Sequence, residues 1–236
     1  MSKKAVWTGF FVGLLILLAI EHCAFAEGGR GSYTVQNENL VVEDVYGMRT
    51  AYMYAEIVNT GASSIELADS IVMLTAEDGS LVTQTTSVRM MPDVLEAGKT
   101  GYLYAYTDLL EPEETPTIVK FNVKATDSRY YDVAGCNITE PRFAKRVTYG
   151  DRTETFMEAL LTNDDDETKY EFTVCFIVKE KDTGKIISVS ERSHMNDIGI
   201  LPGTSVIVRQ EMYSMDEIDT DKYDLEVIGY ATTFKP

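Results

Sequence analysis

Apolar and polar residues alternate in short segments along most of this chain, and clusters of glycine, proline, asparagine and aspartate separate the segments. Alternation with a period of two is typical of an antiparallel strand with one buried face, and no segment keeps the period of a helix. We therefore predict two successive sets of strands. The first set covers residues 33–46, 51–59, 67–76, 81–89, 100–107 and 117–126, and the second covers residues 133–148, 153–162, 169–180, 185–193, 204–212 and 222–233.

The second set of strands repeats landmarks of the first set at a nearly constant offset. In each set an asparagine ends one strand, an apolar strand runs into a glycine turn, and a second glycine precedes a later strand. The corresponding residues are Asn59 and Asn163, Gly79 and Gly184, and Gly98 and Gly203. Such a repeat predicts two copies of one fold. We predict an all-β protein with two tandem immunoglobulin-like antiparallel β-sandwich domains, residues 33–128 and residues 129–236.

Residues 1–26 have the composition of a signal peptide. Two lysines precede an apolar run at residues 6–20, and Ala24-Phe25-Ala26 follows it, which predicts cleavage after Ala26. The apolar run is shorter than the roughly 20 residues that a membrane-spanning helix needs, so we expect no membrane span after cleavage. The exported chain would begin with a flexible glycine-rich leader at residues 27–32. The expected location is secreted or extracytoplasmic.

The chain is strongly acidic, with 38 Asp and Glu residues, 21 Lys and Arg residues and a formal net charge of −17. Nucleic acids and anionic membrane surfaces bind proteins through clustered Lys and Arg side chains. The composition therefore argues against both of these partners.

Two cysteines, Cys136 and Cys175, remain after the predicted cleavage. An exported pair of cysteines can form a disulfide. However, Cys175 lies within an apolar run and is expected to face a core, and the first set of strands has no cysteine at either position. The sequence leaves a Cys136–Cys175 disulfide open, but the fold does not require it.

Three motifs of the first copy belong together. One strand ends in Asn59-Thr60-Gly61, an apolar strand closes in Asp78-Gly79, and a Leu-x-x-Gly motif follows at residues 95–98. These motifs resemble the FxLYD-type domain of bacterial extracytoplasmic proteins and the related cell-adhesion immunoglobulin-like domains. The resemblance covers residues 41–126 and, more loosely, residues 147–234. It implies an interaction or spacer module that faces the bacterial cell envelope and has no catalytic residues.

Tyrosines recur at every second position of two predicted strands of the first copy. The five residues are Tyr52, Tyr54, Tyr102, Tyr104 and Tyr106. Side chains at this spacing share one face of a strand. The two strands are neighbours in immunoglobulin-like sandwiches, so the tyrosines are expected to form one patch.

The repeat also predicts which way the patch faces. Glu158 of the second copy corresponds to Tyr54, and Arg209 corresponds to Tyr104. Because charged residues prefer water, we expect these positions and the tyrosines to face solvent. An exposed aromatic cluster is typical of an interaction surface. Two alternatives remain open: the tyrosines pair across an exposed sheet face, or the second domain packs over them.

The sequence offers no arrangement that is typical of catalysis. Ser193, His194 and Asp197 are close in sequence, whereas the members of a catalytic triad come from separate elements. Glu113 and Glu114 adjoin in one loop, whereas glycoside hydrolysis needs two carboxyl groups across a cleft. We expect no enzymatic activity and no cofactor, and hydrolysis of a cell-wall polymer by acidic residues is kept as a third alternative.

Asp164, Asp165 and Asp166 form an acidic turn that is a candidate calcium site, because Ca²⁺ prefers oxygen ligands. The run lacks the alternating ligands and the central glycine of a helix-loop-helix calcium loop. The alternative is a polar turn whose acidic side chains lie in water, and we favour this alternative.

The sequence as a whole favours an exported, non-catalytic binding module whose first domain offers the tyrosines to an envelope protein or glycan. The alternative is a structural spacer or assembly subunit in which the tyrosines form an interdomain or self-association contact. The sequence leaves the oligomeric state open.

Overall fold

The computed structural model describes residues 32–45, 47–109, 115–129, 131–147, 153–212 and 219–234. The predicted signal peptide and most of the predicted leader lie outside these residues. The described residues form antiparallel strands, joined by turns and by one 3-10 helix at Thr220–Lys222. The prediction of an all-β, sandwich-like fold is confirmed. Within the described ranges, no helix is long and apolar enough to cross a membrane.

The N-terminal half, residues 32–129, packs two layers of strands around one core. Its strands are β1 (Tyr33–Val45), β2 (Met48–Asn59), β3 (Ile65–Leu67), β4 (Ile71–Thr75), β5 (Leu81–Thr85), β6 (Arg89–Met91), β7 (Val94–Leu95), β8 (Thr100–Leu109), β9 (Ile118–Asn122) and β10 (Ala125–Asp127). One layer has the order β1-β2-β8-β6, and the other contains the sheets β5-β4-β9 and β10-β3-β7. Met53 and Leu103 of the first layer and Leu74 of the second are fully buried in the core between them.

The C-terminal half, residues 131–234, has its own core. Its strands are β11 (Tyr131–Val147), β12 (Thr153–Thr162), β13 (Lys169–Glu180), β14 (Ile186–Ile200), β15 (Ser205–Glu211) and β16 (Tyr223–Phe234). They are hydrogen-bonded in the order β14-β13-β16-β11-β12-β15. β11 joins the two layers of this half, because residues 131–136 pair with β16 and residues 137–147 pair with β12. Met157, Leu161 and Phe176 lie in the core.

The strand positions agree closely with the predicted ones, and the differences have local causes. The predicted strand at residues 67–76 is divided into β3 and β4, because the Ser70 hydroxyl exchanges hydrogen bonds with the backbone of Lys124. The short strands β6 and β7 lie on either side of Pro92, which has no N–H group to donate to a sheet. β14 continues past the predicted end at residue 193, since it pairs with β13 over most of its length.

Asn59 and Asn163 make the same hydrogen bonds in the two halves. Each side-chain nitrogen donates to two backbone carbonyls, and each side-chain oxygen accepts the N–H group two residues later. Each backbone carbonyl accepts the N–H group of a glycine with positive φ, Gly98 or Gly203. Both asparagines are almost fully buried. They tie the end of one strand to the turn before another, which explains why these residues recur in the sequence.

The two halves also share an irregularity in their second layers. β4 shifts register against β5 between Leu74 and Thr75, and β13 shifts register against β14 between Val178 and Lys179. A β-bulge is a defined feature of a strand pair, so its recurrence aligns Thr75 with Lys179. The glycine turn that follows each of the two strands gives the same alignment.

Candidate functional site: the tyrosine face

The tyrosines form one continuous face of the first layer. We call the side chains of Tyr52, Tyr54, Tyr102, Tyr104 and Tyr106 the tyrosine face. β2 and β8 pair in register, so that Tyr52 lies opposite Tyr106 and Tyr54 lies opposite Tyr104. The intervening residues of both strands, such as Met53, point into the N-terminal core. The structure therefore brings the five tyrosines together on the side of the sheet that faces away from the N-terminal core.

The prediction that the tyrosine face is exposed is wrong for its central members. Tyr54 is only 5% exposed and Tyr102 only 2% exposed, because β13, β14 and β16 of the C-terminal half cover them. The two halves thereby form a third buried cluster, separate from the two cores. Its members are Tyr54, Met91, Tyr102, Cys175, Ile177, Ile186 and Val189, with Val41, Tyr52, Tyr104 and Ile228 at its margin.

The exposure of Tyr54 was predicted from Glu158, the charged residue that corresponds to it in the second copy. This prediction is wrong because Glu158 is itself buried. Glu158 is 2% exposed. Its carboxylate accepts hydrogen bonds from Arg209 at 2.6 Å and from Arg142 and Arg146 at 3.2 Å. Burial would raise the pKa of Glu158, but the hydrogen bonds from Arg209 and Arg142 outweigh burial and lower this pKa. A charge at this position therefore indicates compensation by arginine and not contact with water.

A charged network crosses the boundary between the halves beside Tyr102. The ammonium group of Lys179, on β13, lies 2.9 Å from Glu56 Oε1 and 3.0 Å from Glu226 Oε2. It also donates a hydrogen bond to the Tyr102 hydroxyl at 3.1 Å and lies 4.9 Å from the centre of the Tyr102 ring. The same hydroxyl donates to Glu226 Oε1 at 2.5 Å. Two residues of each half thus converge on one another.

The protonation states of this network follow from its contacts. Burial would raise the pKa of Glu56, but the hydrogen bond from Lys179 and those from two amide side chains of β1 lower it. Burial would lower the pKa of Lys179, but Glu56, Tyr102 and Glu226 raise it. Burial and the bond to Glu226 raise the pKa of Tyr102. Near neutral pH the network therefore contains an ionised Glu56, a charged Lys179 and a neutral Tyr102.

Two further polar contacts join the halves at the margins of the buried cluster. Arg89 of β6 pairs with Glu191 of β14 at 2.7 Å. The Asn39 side chain of β1 donates a hydrogen bond to the backbone carbonyl of Ile186 at 2.7 Å. Sequence reasoning missed these residues because each reads alone as an ordinary polar residue on a strand. They meet only when the two outer sheet faces are brought together.

The structure contradicts a disulfide between Cys136 and Cys175, since both cysteines are free. Cys136 and Val174 both lie opposite Gly229 and share the side of the sheet that faces the C-terminal core. Cys175 is the next residue of β13, so its thiol points to the other side and contacts the sulfur atom of Met91. Two thiols on opposite sides of a sheet cannot bond.

The outer tyrosines line a crevice at the edge of the contact between the halves. Its volume is about 230 Å³, and its lining includes Tyr52, Tyr54, Tyr104, Ile187, Ser190 and Glu211. The ring centre of Tyr106 lies 6.5 Å from that of Tyr52 and 6.2 Å from that of Tyr104. Tyr106 is 52% exposed. This part of the tyrosine face therefore presents phenol rings with partly free surfaces.

A larger groove of about 710 Å³ lies between β1 and the start of β9. Residues 35–40 and 116–119 line it, together with Lys185. The Glu38 carboxylate accepts the backbone N–H group of Phe121 at 2.7 Å, which joins the two strands. This groove could not be predicted from the sequence, because it forms between the edges of two strands that are far apart in the chain.

The acidic turn of the calcium hypothesis contains a cation of its own. Asp165 Oδ2 lies 2.7 Å from the ammonium group of Lys169, and the backbone N–H group of Asp165 donates to Asn163. The side chains of Asp164 and Asp166 are exposed. Within the described ranges, no group of three or more His, Cys, Asp or Glu side chains converges in a way that would hold a metal ion. The geometry favours a polar turn.

The residues of the catalytic alternatives give no assembled site. Ser193, His194 and Asp197 all lie on the single strand β14. The side chains of His194 and Asp197 lie outside the described part of the structure, as do the carboxylates Glu113 and Glu114. The described part of the structure therefore contains neither an assembled triad nor an assembled pair of carboxyl groups at these positions.

No protein-family model and no curated protein matches this chain. Among solved structures, the secreted serine protease VesC from Vibrio cholerae is similar at 11% sequence identity and a TM-score of 0.19, over 84% of this chain and 51% of the protease chain. This chain thus spans about half the length of that protein. A likeness at this TM-score supports no conclusion about fold or function.

Proposed function

We propose that this chain is an exported, non-catalytic spacer or assembly subunit of the bacterial cell envelope. In this proposal the tyrosine face joins two sandwich domains into one unit. The observation that carries it is the network in which Lys179 binds Glu56 and Tyr102 of the other half. The extracytoplasmic location is supported by the predicted signal peptide and by the resemblance to FxLYD-type domains.

The burial pattern of β2 supports a permanent contact. Residues 53–57 are all buried, whereas a strand with one face in water alternates between buried and exposed positions. Separation of the halves would expose the apolar side chains of Ile177 and Ile186, which are now completely buried. Exposure of apolar surface is unfavourable, so the two halves keep a fixed relative orientation.

Small-angle X-ray scattering of the dilute mature protein tests this proposal. We compare the parent with Ile177→Arg, which places a charge inside the contact, and with the matched control Leu201→Arg at an exposed turn. Circular dichroism confirms that each variant is folded. We expect the parent and the control to share one narrow distribution of dimensions, and Ile177→Arg to give a larger radius of gyration. A parent with the broad distribution of Ile177→Arg contradicts a rigid spacer.

A second candidate function is ligand binding at the crevice beside Tyr104. The stacked rings of Tyr104 and Tyr106, and the ring of Tyr52 next to them, are the observation that favours it. Sugar rings and aromatic side chains pack well against phenol rings, and Glu211 and Ser190 add polar groups to the lining. The crevice therefore suits an envelope glycan or a protein segment.

Affinity capture from an envelope extract tests this second candidate. The bait is the mature protein, compared with a variant in which Tyr52 and Tyr106 are serine while the buried Tyr54 and Tyr102 are unchanged. We expect the parent alone to retain a glycan or protein. Tyrosine fluorescence then follows the titration, because the one tryptophan, Trp7, lies in the predicted signal peptide. Equal retention by both baits excludes the crevice as a binding site.

A further inference from the structure

The contact between the halves uses one outer sheet face from each half. The N-terminal half contributes β2 and β8, and the C-terminal half contributes β13, β14 and β16. The strand orders β1-β2-β8 and β11-β12-β15 correspond, as do β5-β4-β9 and β14-β13-β16. Each half therefore has one face like the tyrosine face and one face like the surface that covers it. Two of these four faces take no part in the contact. We call the outer side of β12 and β15 the β15 face, and the outer side of β4, β5 and β9 the β4 face.

The shared β-bulge relates the β4 face to the face that is in contact. Thr75 corresponds to Lys179 because the register shift precedes both residues. Leu81 lies opposite Thr75, and Ile186 lies opposite Lys179. Leu81 therefore corresponds to Ile186. Ile71 corresponds to Cys175, because Ile71 lies four residues before Thr75 and Cys175 lies four residues before Lys179.

The equivalent asparagines at the ends of β2 and β12 relate the β15 face to the tyrosine face. They align Glu56 with Leu160, each three residues before its asparagine. Tyr102 lies opposite Glu56, and Ile207 lies opposite Leu160. Ile207 therefore corresponds to Tyr102.

Exposed apolar residues of the two leftover faces occupy the positions that are buried in the existing contact. Leu81 is 57% exposed, whereas the corresponding Ile186 is 0% exposed. Ile71 is 36% exposed, against 0% for Cys175, and Ile207 is 57% exposed, against 2% for Tyr102. Ile118, which lies opposite Thr75 on the β4 face, is a further apolar residue and is 50% exposed. Exposed apolar groups concentrated in this way indicate surfaces that pack against a partner.

We propose that copies of this chain assemble head to tail, with the β15 face of one copy packed on the β4 face of the next. The partner is a second copy because the same contact already exists within one chain. There the tyrosine face, which corresponds to the β15 face, packs on the outer side of β13, β14 and β16, which corresponds to the β4 face. The two faces differ, so the contact leaves one free face at each end and continues into a ring or a filament. This inference rests on the proposed role as an assembly subunit and specifies how that assembly forms.

The two leftover faces are apolar at the position where the existing contact has its charged network, while elsewhere the β15 face carries the Glu158–Arg209 ion pair. Leu160 stands where the existing contact has Glu56, and Thr75 stands where it has Lys179. Leu160 and Ile207 would therefore meet Leu81 where the existing contact has its charged network. The formal net charge of −17 opposes the approach of copies, so salt that screens this charge favours assembly.

Sedimentation velocity of the mature protein at rising concentration and high salt tests the proposal. The variants are Leu81→Glu, which alters only the β4 face, and Ile207→Glu, which alters only the β15 face. Leu201→Glu is the matched control, since Leu201 is 55% exposed but lies on the turn after β14. All three side chains are exposed, so folding is preserved.

The mixture of the two variants gives the decisive result. We expect the parent and the control to form species larger than a dimer, and each variant alone to stay monomeric. An equimolar mixture of Leu81→Glu and Ile207→Glu is expected to form dimers and nothing larger, because each variant keeps one intact face. A parent that stays monomeric, or a mixture that forms no dimer, overturns the proposal. A double variant, Leu81→Glu with Ile207→Glu, keeps neither assembly face and stays monomeric. Small-angle X-ray scattering from it still reports on the contact between the halves of one chain, so the two proposals fail separately.

Discussion

Lys179 and Glu56 form an ion pair across the boundary between the two halves, with their side chains 21% and 10% exposed and 2.9 Å between nitrogen and oxygen. The two residues are distant in sequence and lie on different sheets. An ion pair that is removed from water is stable only when both charges remain and are hydrogen-bonded, as they are here. The relative orientation of the halves therefore keeps the two charges paired, and the paired charges in turn hold the halves in that orientation.

Replacement of Lys179 by methionine is expected to destabilise the protein. The change leaves Glu56 and Glu226 near each other without their cation, and the loss of one partner of a buried pair costs about 3 kcal/mol in free energy of unfolding. Urea denaturation measures this loss. The control is Lys181→Met, because Lys181 is 4.0 Å from Asp224 at the surface and its loss costs less than about 1 kcal/mol. Equal losses in the two variants contradict a structural role for the network.

Stability is expected to fall in acid. The contacts lower the pKa of Glu56 and of Glu158 below the ordinary value of 4.5. A carboxyl group with a lowered pKa in the folded state stabilises the protein above its unfolded pKa, and this contribution is lost as the pH falls through the folded pKa. The free energy of unfolding should therefore decrease below about pH 4.5. Glu56→Gln should show a smaller decrease than the parent, and an identical pH profile would count against the assignment.

The carboxylate of Glu158 is expected to hold in place the three arginines that bind it, which are Arg209 of β15 and Arg142 and Arg146 of β11. In Glu158→Gln the charged hydrogen-bond acceptor is lost, which should cost about 1–3 kcal/mol in free energy of unfolding. Glu140→Gln is the matched control, because Glu140 is 68% exposed and lies 3.6 Å from Arg142. Thermal or urea denaturation of both variants checks this. If Glu158→Gln is as stable as Glu140→Gln, the buried carboxylate is not structural.

Cys136 and Cys175 are both expected to be free thiols. Burial raises the pKa of Cys136 to about 11 and raises that of Cys175 further, so neither forms the reactive thiolate at neutral pH. Intact mass after alkylation should show slow or no labelling of the native protein and two labels after unfolding without a reductant. An unfolded protein that takes up no label would demonstrate a disulfide and contradict the position of Cys175.

The strand pattern could be predicted because it depends on neighbouring residues. Alternation along each strand and the turn residues near Asn59 and Asn163 are local signals, and they located the strands. The pairing of β2 with β8 was expected from the strand arrangement of immunoglobulin-like sandwiches, and the structure shows it. The contact between the halves depends on which outer faces meet. Tyr54 shows nothing in its own strand that distinguishes an exposed face from a covered one.

One sequence signal for the contact was present in the partner strand. Residues 174–178 of β13 form a continuous apolar run, and all of them are fully buried. A strand with one face in water alternates, whereas a continuous apolar run is typical of a strand that is covered on both sides. Cys175 and Ile177 of this run face the tyrosines. The charged network could not be predicted, because it requires the relative position of two sheets.

Nitration of the native protein with tetranitromethane, followed by peptide mapping, shows whether the C-terminal half covers the centre of the tyrosine face. We expect Tyr106 to be modified and Tyr54 and Tyr102 to be protected, with all three modified in the urea-unfolded protein. Equal modification of Tyr54, Tyr102 and Tyr106 in the native protein would show that the face is open to solvent and would contradict the account.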